Sequence, residues 1–149
     1  MVTRGFYLDS CIWLNLFKKE GSLSKGMPYW KIAKDFIEKI IFSKDKSLIY
    51  SGLVFKELKY ILGDEIFNKI KLYLKKEAKF VSLNEEDYNF ARTLEVTTKP
   101  KLSFFDYLHI AVCKRLNLVL ITRDKDLIKV AKRYILVEKP ETLLYNDFN

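Results

Sequence analysis

Short apolar runs alternate with longer segments of helical periodicity along the whole chain. Continuous apolar runs, such as residues 118–121, are typical of strands that are covered on both faces of a sheet. The longer segments repeat apolar side chains at helical spacing, as Tyr29, Ala33 and Phe36 do after Pro28. This alternation predicts an α/β domain with a mainly parallel sheet. The predicted strands are residues 5–9, 47–50, 79–82, 118–122 and 134–137.

Capping residues mark where several predicted helices begin. Asn84 and Asp87 have the spacing of a capping box. Ser103 and Asp106 have the same spacing at the start of a later helix. The segments 18–27 and 96–102 are basic and lack apolar periodicity, which indicates exposed loops. Further helices are expected from Ser51 to about Leu62, from Asp64, from Asp124 and from Pro140.

The chain has the length and composition of one domain, residues 1–149, with 49% hydrophobic residues and no low-complexity tract. The N-terminus lacks the order of a signal peptide, and no apolar run approaches the roughly 20 residues that span a bilayer. We therefore expect a soluble cytoplasmic protein without a membrane partner. Cys11 and Cys113 belong to no CxxC pair, so neither a zinc site nor a disulfide framework is indicated.

The net charge is +8, from 27 basic against 19 acidic residues. This excess favours an anionic partner such as nucleic acid. A solvated, Lys-rich surface of the kind found in thermophile proteins is an equally good explanation. The charge alone therefore leaves both interpretations open.

Four carboxylates fall where predicted strands end or predicted helices begin. Asp9 ends the first strand, and Asp124 follows the fourth. Glu57 shares a helix stripe with apolar residues and is expected to face inward. Asp106 lies in the first turn of a helix that is apolar nearly all round. Each of the three aspartates could instead cap a helix, and Glu57 could be a solvated side chain.

The joint pattern of these carboxylates favours a metal site. If the first and fourth strands are neighbours at the centre of the sheet, Asp9 and Asp124 emerge side by side. Glu57 and Asp106 can then converge on them, and four close carboxylates repel one another unless a cation neutralises them. Oxygen ligands without a His or Cys cluster select Mg²⁺ or Mn²⁺. An acidic, metal-loaded pocket within a basic surface is suited to holding and cutting a phosphodiester.

Four segments resemble the motifs of a PIN domain in their order and separation: YLDSCIWLN, SGLVFKEL, SFFDYLHIA and LITRDKDL. The resemblance spans essentially the whole chain. It consists of an Asp after the first strand, a Glu early in the next helix, D-x-x-x-I-A on a late helix and T-x-D after the fourth strand. Short, free-standing members of the family are mostly VapC-type toxins, so the chain most resembles a VapC-type toxin ribonuclease.

The resemblance implies a three-layer α/β/α fold with a five-stranded, mainly parallel sheet in the order 3-2-1-4-5. It also implies a Mg²⁺- or Mn²⁺-dependent endoribonuclease acting on single-stranded RNA, a homodimer and a VapB-type antitoxin. Ser10 and Thr122, and peripherally Asp126, would support the metal ligands by hydrogen bonds. The implied metal ligands and catalytic residues are Asp9, Glu57, Asp106 and Asp124.

Two residues fit this pattern less well. Cys11 stands where the family commonly has Asn or Ser, two residues after the first Asp, which brings a supporting hydrogen bond into question but not the metal ligands. His109, the single histidine, shares a helix stripe with Asp106 and Cys113. A packed or hydrogen-bonded role is favoured for His109 over a catalytic one, because metal-activated water needs no imidazole base.

Basic residues in the two loops and beside Asp124 are candidates for contacts with RNA phosphates, although a solvated surface explains them equally well. Two other functions remain open. The first is a PIN nuclease of RNA maturation or decay without an antitoxin, and the second is a non-catalytic nucleic-acid-binding module whose acids only cap helices. The candidates for phosphate contact are Lys18, Lys19, Lys25, Lys99, Lys101 and Arg123.

Overall fold

The computed structural model of the chain describes residues 3–19, 23–24 and 26–145. No helix in this described part combines the length and the apolar composition needed to cross a bilayer. The strands are β1 (Arg4–Leu8), β2 (Leu23–Ser24), β3 (Met27–Pro28), β4 (Lys46–Tyr50), β5 (Lys79–Phe80), β6 (Val119–Ile121) and β7 (Val137–Glu138). The helices are α1 (Ser10–Lys18), α2 (Tyr29–Ile41), α3 (Gly52–Ile61), α4 (Asp64–Glu77), α5 (Glu85–Thr97), α6 (Phe104–Leu116), α7 (Lys125–Ala131) and α8 (Pro140–Tyr145).

Five strands form one sheet in the order β5-β4-β1-β6-β7, and each neighbouring pair is parallel. The strands β2 and β3 form a separate two-stranded hairpin and are not part of this sheet. When the five sheet strands alone are numbered along the chain, their order is 3-2-1-4-5, which confirms the predicted order. In the central strand, Tyr7 is in register with Ile49 on β4 and with Leu120 on β6. Since all five strands run in one direction, their carboxyl ends meet at the same edge of the sheet.

Alternate residues of β1 face the two helical layers, as the two-residue period of a strand requires. Phe6 and Leu8 belong to the cluster that joins the sheet to α1, α2, α3 and α4. Tyr7 belongs to the cluster on the opposite face, with α5, α6 and α7. The three-layer α/β/α architecture is thus confirmed, and both faces of the central strand are buried.

The helix starts follow from local hydrogen bonds. The Asn84 side chain accepts from the backbone N of Asp87 at 3.1 Å, and the Asp87 carboxylate accepts from the backbone N of Asn84 at 3.0 Å. This is the capping box that the sequence predicts for α5. Ser51 caps α3, accepting from the backbone N of Leu53 at 3.3 Å. At α6 the Ser103 hydroxyl caps the helix by accepting a hydrogen bond from the third residue of the helix at 3.3 Å.

The predicted strand at residues 134–137 is wrong over most of its length. The backbone N–H groups of Tyr134 and Ile135 both bond to the carbonyl of Ala131, at 2.9 and 3.0 Å, and so close the end of α7. Strand pairing starts only where the Leu136 carbonyl accepts from Leu120 at 3.0 Å, and β7 itself is Val137–Glu138. Tyr134 and Ile135 are apolar because they pack against the core and not because they pair in the sheet.

Three other predicted segments differ in detail from the structure. The segment 96–102, expected to be a loop, begins with the last two residues of α5. The strand expected at residues 79–82 pairs as a regular strand only over Lys79–Phe80. The segment 18–27, expected to be a loop, contains the last residue of α1 and part of the β2–β3 hairpin. Residues 20–22 and 25 within this segment lie outside the described residues.

An ion pair joins α6 to the start of α5. The Nε and one terminal nitrogen of Arg115 donate to the two carboxylate oxygens of Asp87, both at 2.9 Å, and the terminal nitrogen also donates to the Ser82 carbonyl at 2.8 Å. Asp87 is only 1% exposed. A buried carboxylate that loses its cation is costly, because desolvation of the charge is then not compensated.

Arg115→Met is therefore expected to lower the free energy of unfolding by about 2 kcal/mol. Urea unfolding followed by circular dichroism measures the change. Arg92→Met is the matched control, because exposed Arg92 contacts only its helix neighbour Asn89, at 3.1 Å, among the contacts described. The control should change stability by less than about 0.5 kcal/mol. Equal losses in the two variants would contradict the role of the ion pair.

Candidate metal centre

Asp9 lies between the end of β1 and the start of α1, and it is 5% exposed. Its Oδ1 accepts from the backbone N of Ser10 at 2.8 Å, which caps α1. Its Oδ2 accepts from the Thr122 hydroxyl at 2.9 Å. Its backbone N–H donates to the carbonyl of Ile121 at 2.9 Å, extending the β1–β6 ladder. The central strand, the following helix and the neighbouring strand all hold this carboxylate in place.

Cys11 lies beside the same carboxylate. Its Sγ is 3.3 Å from Oδ2 of Asp9 and 3.7 Å from Oγ1 of Thr122. Burial, and then the charge of Asp9, raise the pKa of the Cys11 thiol well above its usual range. The thiol therefore keeps its proton and donates to Asp9. The supporting hydrogen bond to Asp9 from the position two residues later is therefore present. Its donor is a weak S–H group in place of an amide or hydroxyl.

Glu57 points from α3 toward α1 and α6. Its Oε1 lies 2.5 Å from Nε2 of His109, and its Oε2 lies 3.4 Å from the Ser10 hydroxyl. The same hydroxyl is 3.5 Å from Oδ1 of Asp9, so Ser10 lies between the two carboxylates. The Glu57 side chain remains 17% exposed, which leaves it accessible to a ligand from solvent.

His109 is fully buried on α6, and both of its ring nitrogens have partners. Nδ1 lies 2.7 Å from the Tyr7 hydroxyl, and Nε2 lies 3.9 Å from Oδ1 of Asp9 in addition to its contact with Glu57. Burial acts to lower the pKa of His109, but the hydrogen bond and the charge of Glu57 raise it above its ordinary value. His109 is thus a packed, hydrogen-bonded residue, as the sequence favours.

Asp106 lies in the first turn of α6, one helical turn before His109. Burial, and then the charge of Asp9, raise the pKa of the Asp106 carboxyl from 3.8 to about 6. Glu57 and Asp124 raise this pKa further, whereas His109 lowers it. Mutual repulsion of this kind occurs when carboxylates share a site without a neutralising cation.

Asp124 lies at the exposed rim of this group, after β6. Its Oδ1 accepts from the backbone N of Asp126 at 3.0 Å and of Leu127 at 3.1 Å, which caps α7. Its own backbone N–H donates to the Thr122 hydroxyl at 3.2 Å. Thr122 therefore links Asp9 and Asp124. Asp126 is exposed, and its contact with Asp124 is through its backbone.

Ligand atoms of Asp9, Glu57 and His109 all lie within 4.8 Å of one another. Since Nε2 of His109 is engaged by Glu57, the carboxylate oxygens are the part of this group that can accept a cation. Carboxylates are the ligands that Mg²⁺ and Mn²⁺ prefer. A bound divalent cation would also offset the repulsion that acts on Asp106. The residues present thus fit a hard divalent cation.

The lysines proposed for phosphate contact lie on the surface where they are described. Lys18 and Lys19 are exposed at the end of α1, and Nζ of Lys19 lies 5.4 Å from the centre of the Trp30 ring. Lys99 is exposed before α6, and Nζ of Lys101 donates to the carbonyl of Glu95. Lys25 lies outside the described residues.

Arg123, which was also proposed for phosphate contact, is held by side chains of this chain. One terminal nitrogen donates to Glu141 on α8 at 2.7 Å, and Nε donates to Asn15 at 3.3 Å. The guanidinium stacks on the Tyr29 ring, 3.7 Å from its centre. Burial alone would raise the pKa of Glu141, but the hydrogen bond from Arg123 lowers it below its ordinary value. A phosphate contact by Arg123 would require this ion pair to open.

The residue pattern gave no sign of two groups near the carboxylates. The hydroxyl of Tyr7 bonds to His109 and lies 2.7 Å from the Ser51 hydroxyl. Tyr7 is part of an apolar run, which predicts only a buried strand position, and Ser51 is recognisable only as a helix cap. The two-residue period of a strand does place Tyr7 on the opposite face of β1 from Leu8. It does not indicate which groups the Tyr7 hydroxyl contacts.

Solved structures with a similar fold include toxin–antitoxin proteins. A VapBC2 complex from Rickettsia felis has a TM-score of 0.68 and 17% identity, over 91% of this chain and 98% of that chain. VapBC-1 from nontypeable Haemophilus influenzae has a TM-score of 0.65 and 18% identity, over 92% and 98%. VapC20 from Mycobacterium tuberculosis has a TM-score of 0.64 and 17% identity, over 83% and 93%. At these identities the likeness shows the fold alone.

Comparison with curated proteins found no match. The sequence does match the family model of the PIN domain over residues 6–133. That span contains all four carboxylates predicted from the motifs, and the sheet order agrees with the order that the resemblance implied. The chain belongs to the PIN domain family.

Proposed function

We propose that the chain is a Mg²⁺- or Mn²⁺-dependent endoribonuclease that cleaves single-stranded RNA, as the VapC-type toxin of a toxin–antitoxin pair. The observation that carries the proposal is the convergence of carboxylates at the carboxyl edge of the sheet. Asp9 and Glu57 approach within 4.8 Å, and the pKa of nearby Asp106 is raised to about 6 by burial and by Asp9. Carboxylates this close together repel one another when they are ionised, and a bound cation relieves that repulsion.

Membership of the PIN family supports a nuclease, and the relatives of similar fold support a toxin. Two of these relatives are described as VapBC complexes, one of them bound to DNA from its promoter. A third is described as a toxin that cleaves the sarcin–ricin loop. The proposal transfers to this chain the RNA substrate and the VapB-type antitoxin.

A divalent cation at this site would neutralise phosphate oxygens and lower the pKa of bound water to where it can attack. Asp9 and Glu57 would hold the cation, with Asp106 and Asp124 completing the acidic set. Thr122, Ser10 and Cys11 would maintain the orientation of Asp9 through the hydrogen bonds described above. Asp126 would act only through the cap of α7.

The surface around the carboxylates is proposed to contact the RNA backbone. Lys18, Lys19, Lys99 and Lys101 are the described candidates, and Lys25 remains a candidate from the sequence. A homodimer and a cytoplasmic location complete the proposal. Growth arrest on expression, relieved by co-expression of a small upstream reading frame, would support the toxin assignment. Normal growth would favour RNA maturation or decay without an antitoxin.

Metal removal gives the direct test of the activity. Purified protein is expected to cut total RNA and a labelled single-stranded RNA in Mn²⁺, to stop in EDTA, and to resume when Mn²⁺ is restored. The products should carry 5′-phosphates and 3′-hydroxyls, because activated water attacks phosphorus and the bond to the 3′ oxygen breaks. The same sequence as duplex RNA or as DNA is the control and should be cut more slowly. Cleavage that persists in EDTA, or no cleavage of total RNA with either metal, would contradict the proposal.

A further inference from the structure

A buried line of hydrogen bonds connects the start of α3 to the carboxylate of Glu57. The Ser51 hydroxyl lies 2.7 Å from the Tyr7 hydroxyl, which lies 2.7 Å from Nδ1 of His109. Nε2 of the same imidazole lies 2.5 Å from Oε1 of Glu57. Ser51, Tyr7 and His109 are each completely buried. The line therefore runs through the core from one end of α3, across β1 and α6, and back to α3.

The carboxylate at one end of this line fixes which atom is the donor there. An ionised carboxylate only accepts hydrogen bonds, so the proton of the contact with Glu57 belongs to Nε2 of His109. The Tyr7 hydroxyl can donate to Nδ1 of a neutral imidazole or accept from Nδ1–H of the imidazolium, so it holds this nitrogen in either protonation state. The Ser51 hydroxyl can likewise accept from or donate to the Tyr7 hydroxyl. Each donor is thereby matched to an acceptor in both states, and Tyr7 and Glu57 together set the ring orientation of His109.

The proton on Nε2 decides what His109 can do. With its Nε2 proton committed to Glu57, the imidazole has no lone pair to offer a cation at that nitrogen, although it lies within 4.8 Å of the two carboxylates. It can instead hold Oε1 of Glu57 in one place. The other oxygen of Glu57, Oε2, then lies 3.4 Å from the Ser10 hydroxyl, which also contacts Asp9.

We propose that His109, oriented by Tyr7, is a positioning residue that holds the Glu57 carboxylate ready for the cation. The inference rests on the proposed function, because it concerns the same metal site. A glutamate side chain has several rotatable bonds, and one that is not held in place loses conformational entropy when the cation binds. Support of a ligand by a neighbouring hydrogen bond typically changes metal affinity by about tenfold to a hundredfold. Tyr7 acts one contact further away, so its effect should be smaller.

The test is Mn²⁺ binding measured by calorimetry on the full chain, with thermal unfolding measured in parallel. His109→Leu is expected to weaken Mn²⁺ binding about tenfold or more, and Tyr7→Phe by about threefold to tenfold. His109→Gln, whose amide can donate to Glu57, should recover part of the loss. In the His109→Leu background, Tyr7→Phe should have no further effect on Mn²⁺ affinity, because the contact it acts through is gone.

Tyr107→Phe is the matched control. Tyr107 is also completely buried on α6, and its hydroxyl accepts from the backbone N of Leu102 at 3.0 Å, away from Glu57. This variant should lose stability to a similar degree as Tyr7→Phe while Mn²⁺ affinity is unchanged. Equal loss of affinity in both tyrosine variants would overturn the inference, because the effect would then be a general one of packing.

The possible outcomes separate the inference from the proposed function. If wild type binds Mn²⁺ and Tyr7→Phe binds it equally well, the positioning role fails and the metal site stands. If His109→Leu and His109→Gln both abolish binding while Tyr7→Phe changes nothing, His109 is itself a ligand and the inference is wrong. If wild type shows no Mn²⁺ binding, the proposed function fails, and the inference fails with it. Should His109→Leu not fold, Tyr7→Phe and His109→Gln still decide the result.

Discussion

Asp9→Asn is expected to lower Mn²⁺-dependent RNA cleavage by more than about a hundredfold, beyond the usual loss when a residue only supports a metal ligand. The amide removes one negative charge from the place where Thr122, Ser10 and Cys11 hold the carboxylate. It keeps a carbonyl oxygen for the cap of α1, and Asn is as good a capping residue as Asp. The fold should therefore survive the change. Initial cleavage rates of a labelled single-stranded RNA, together with the melting temperature, measure both effects.

Asp64→Asn is the matched control for this prediction. Asp64 is an exposed carboxylate in the first turn of α4 and is not a member of the carboxylate group, so the substitution removes the same charge outside the proposed site. Cleavage by the control should equal that of wild type. If Asp9→Asn cleaves as fast as wild type with the same Mn²⁺ requirement, Asp9 is only a helix cap and the proposed site is wrong.

Asp106→Asn is expected to stabilise the metal-free protein at neutral and alkaline pH. Burial, and then Asp9, raise the pKa of the Asp106 carboxyl from 3.8 to about 6 in the folded chain. Below the unfolded value the group is protonated in both states and has no net effect. Between the two values only the folded state keeps the proton, so stability falls as pH rises. Above the folded value the whole penalty applies, and it is up to about 3 kcal/mol at about 1.4 kcal/mol for each pKa unit.

Urea unfolding in EDTA measures this prediction at several pH values. The variant should exceed wild type in stability at about pH 8, and the difference should shrink toward zero at about pH 4. Saturating Mn²⁺ should narrow or reverse the difference, because the cation stabilises the folded state that retains the carboxylate. A difference that does not depend on pH, or a variant less stable than wild type in EDTA, would show that Asp106 is not destabilised by its neighbours.

Much of the fold was predictable because the central strands are buried on both faces. Such strands appear in a sequence as short continuous apolar runs: β6 lies within its predicted range, and β1 and β4 each begin only one residue before theirs. The capping box of α5 and the Ser103 cap of α6 were predictable for a related reason, since in each case the two partners are three residues apart. The strand expected at 134–137 failed because an apolar pair that packs beneath a helix end has the same pattern as an edge strand. Only the backbone hydrogen bonds distinguish them.

The candidate site was predictable only in part. Asp9 and Glu57 could be placed because strand ends and helix stripes determine where side chains point. The contact of Tyr7 with His109 joins residues 102 positions apart, and no local pattern contains that information. The partners of Arg123 could not be predicted for a similar reason. A basic residue beside an acidic site resembles a free cation until its partner, 18 residues further along on α8, is seen.

The Arg123–Glu141 ion pair has a consequence for how the chain reaches its final form during synthesis. Arg123 stands between Thr122, which bonds to Asp9, and Asp124, at the rim of the carboxylate group. Its counter-charge lies 18 residues later on α8, so the ribosome must synthesise α8 before that contact can exist. Until α8 has been synthesised and has packed onto the domain, the segment carrying Thr122 and Asp124 lacks this ion pair. The helix α8 is thus a structural support that forms later in synthesis than the site residues, which begin at position 9.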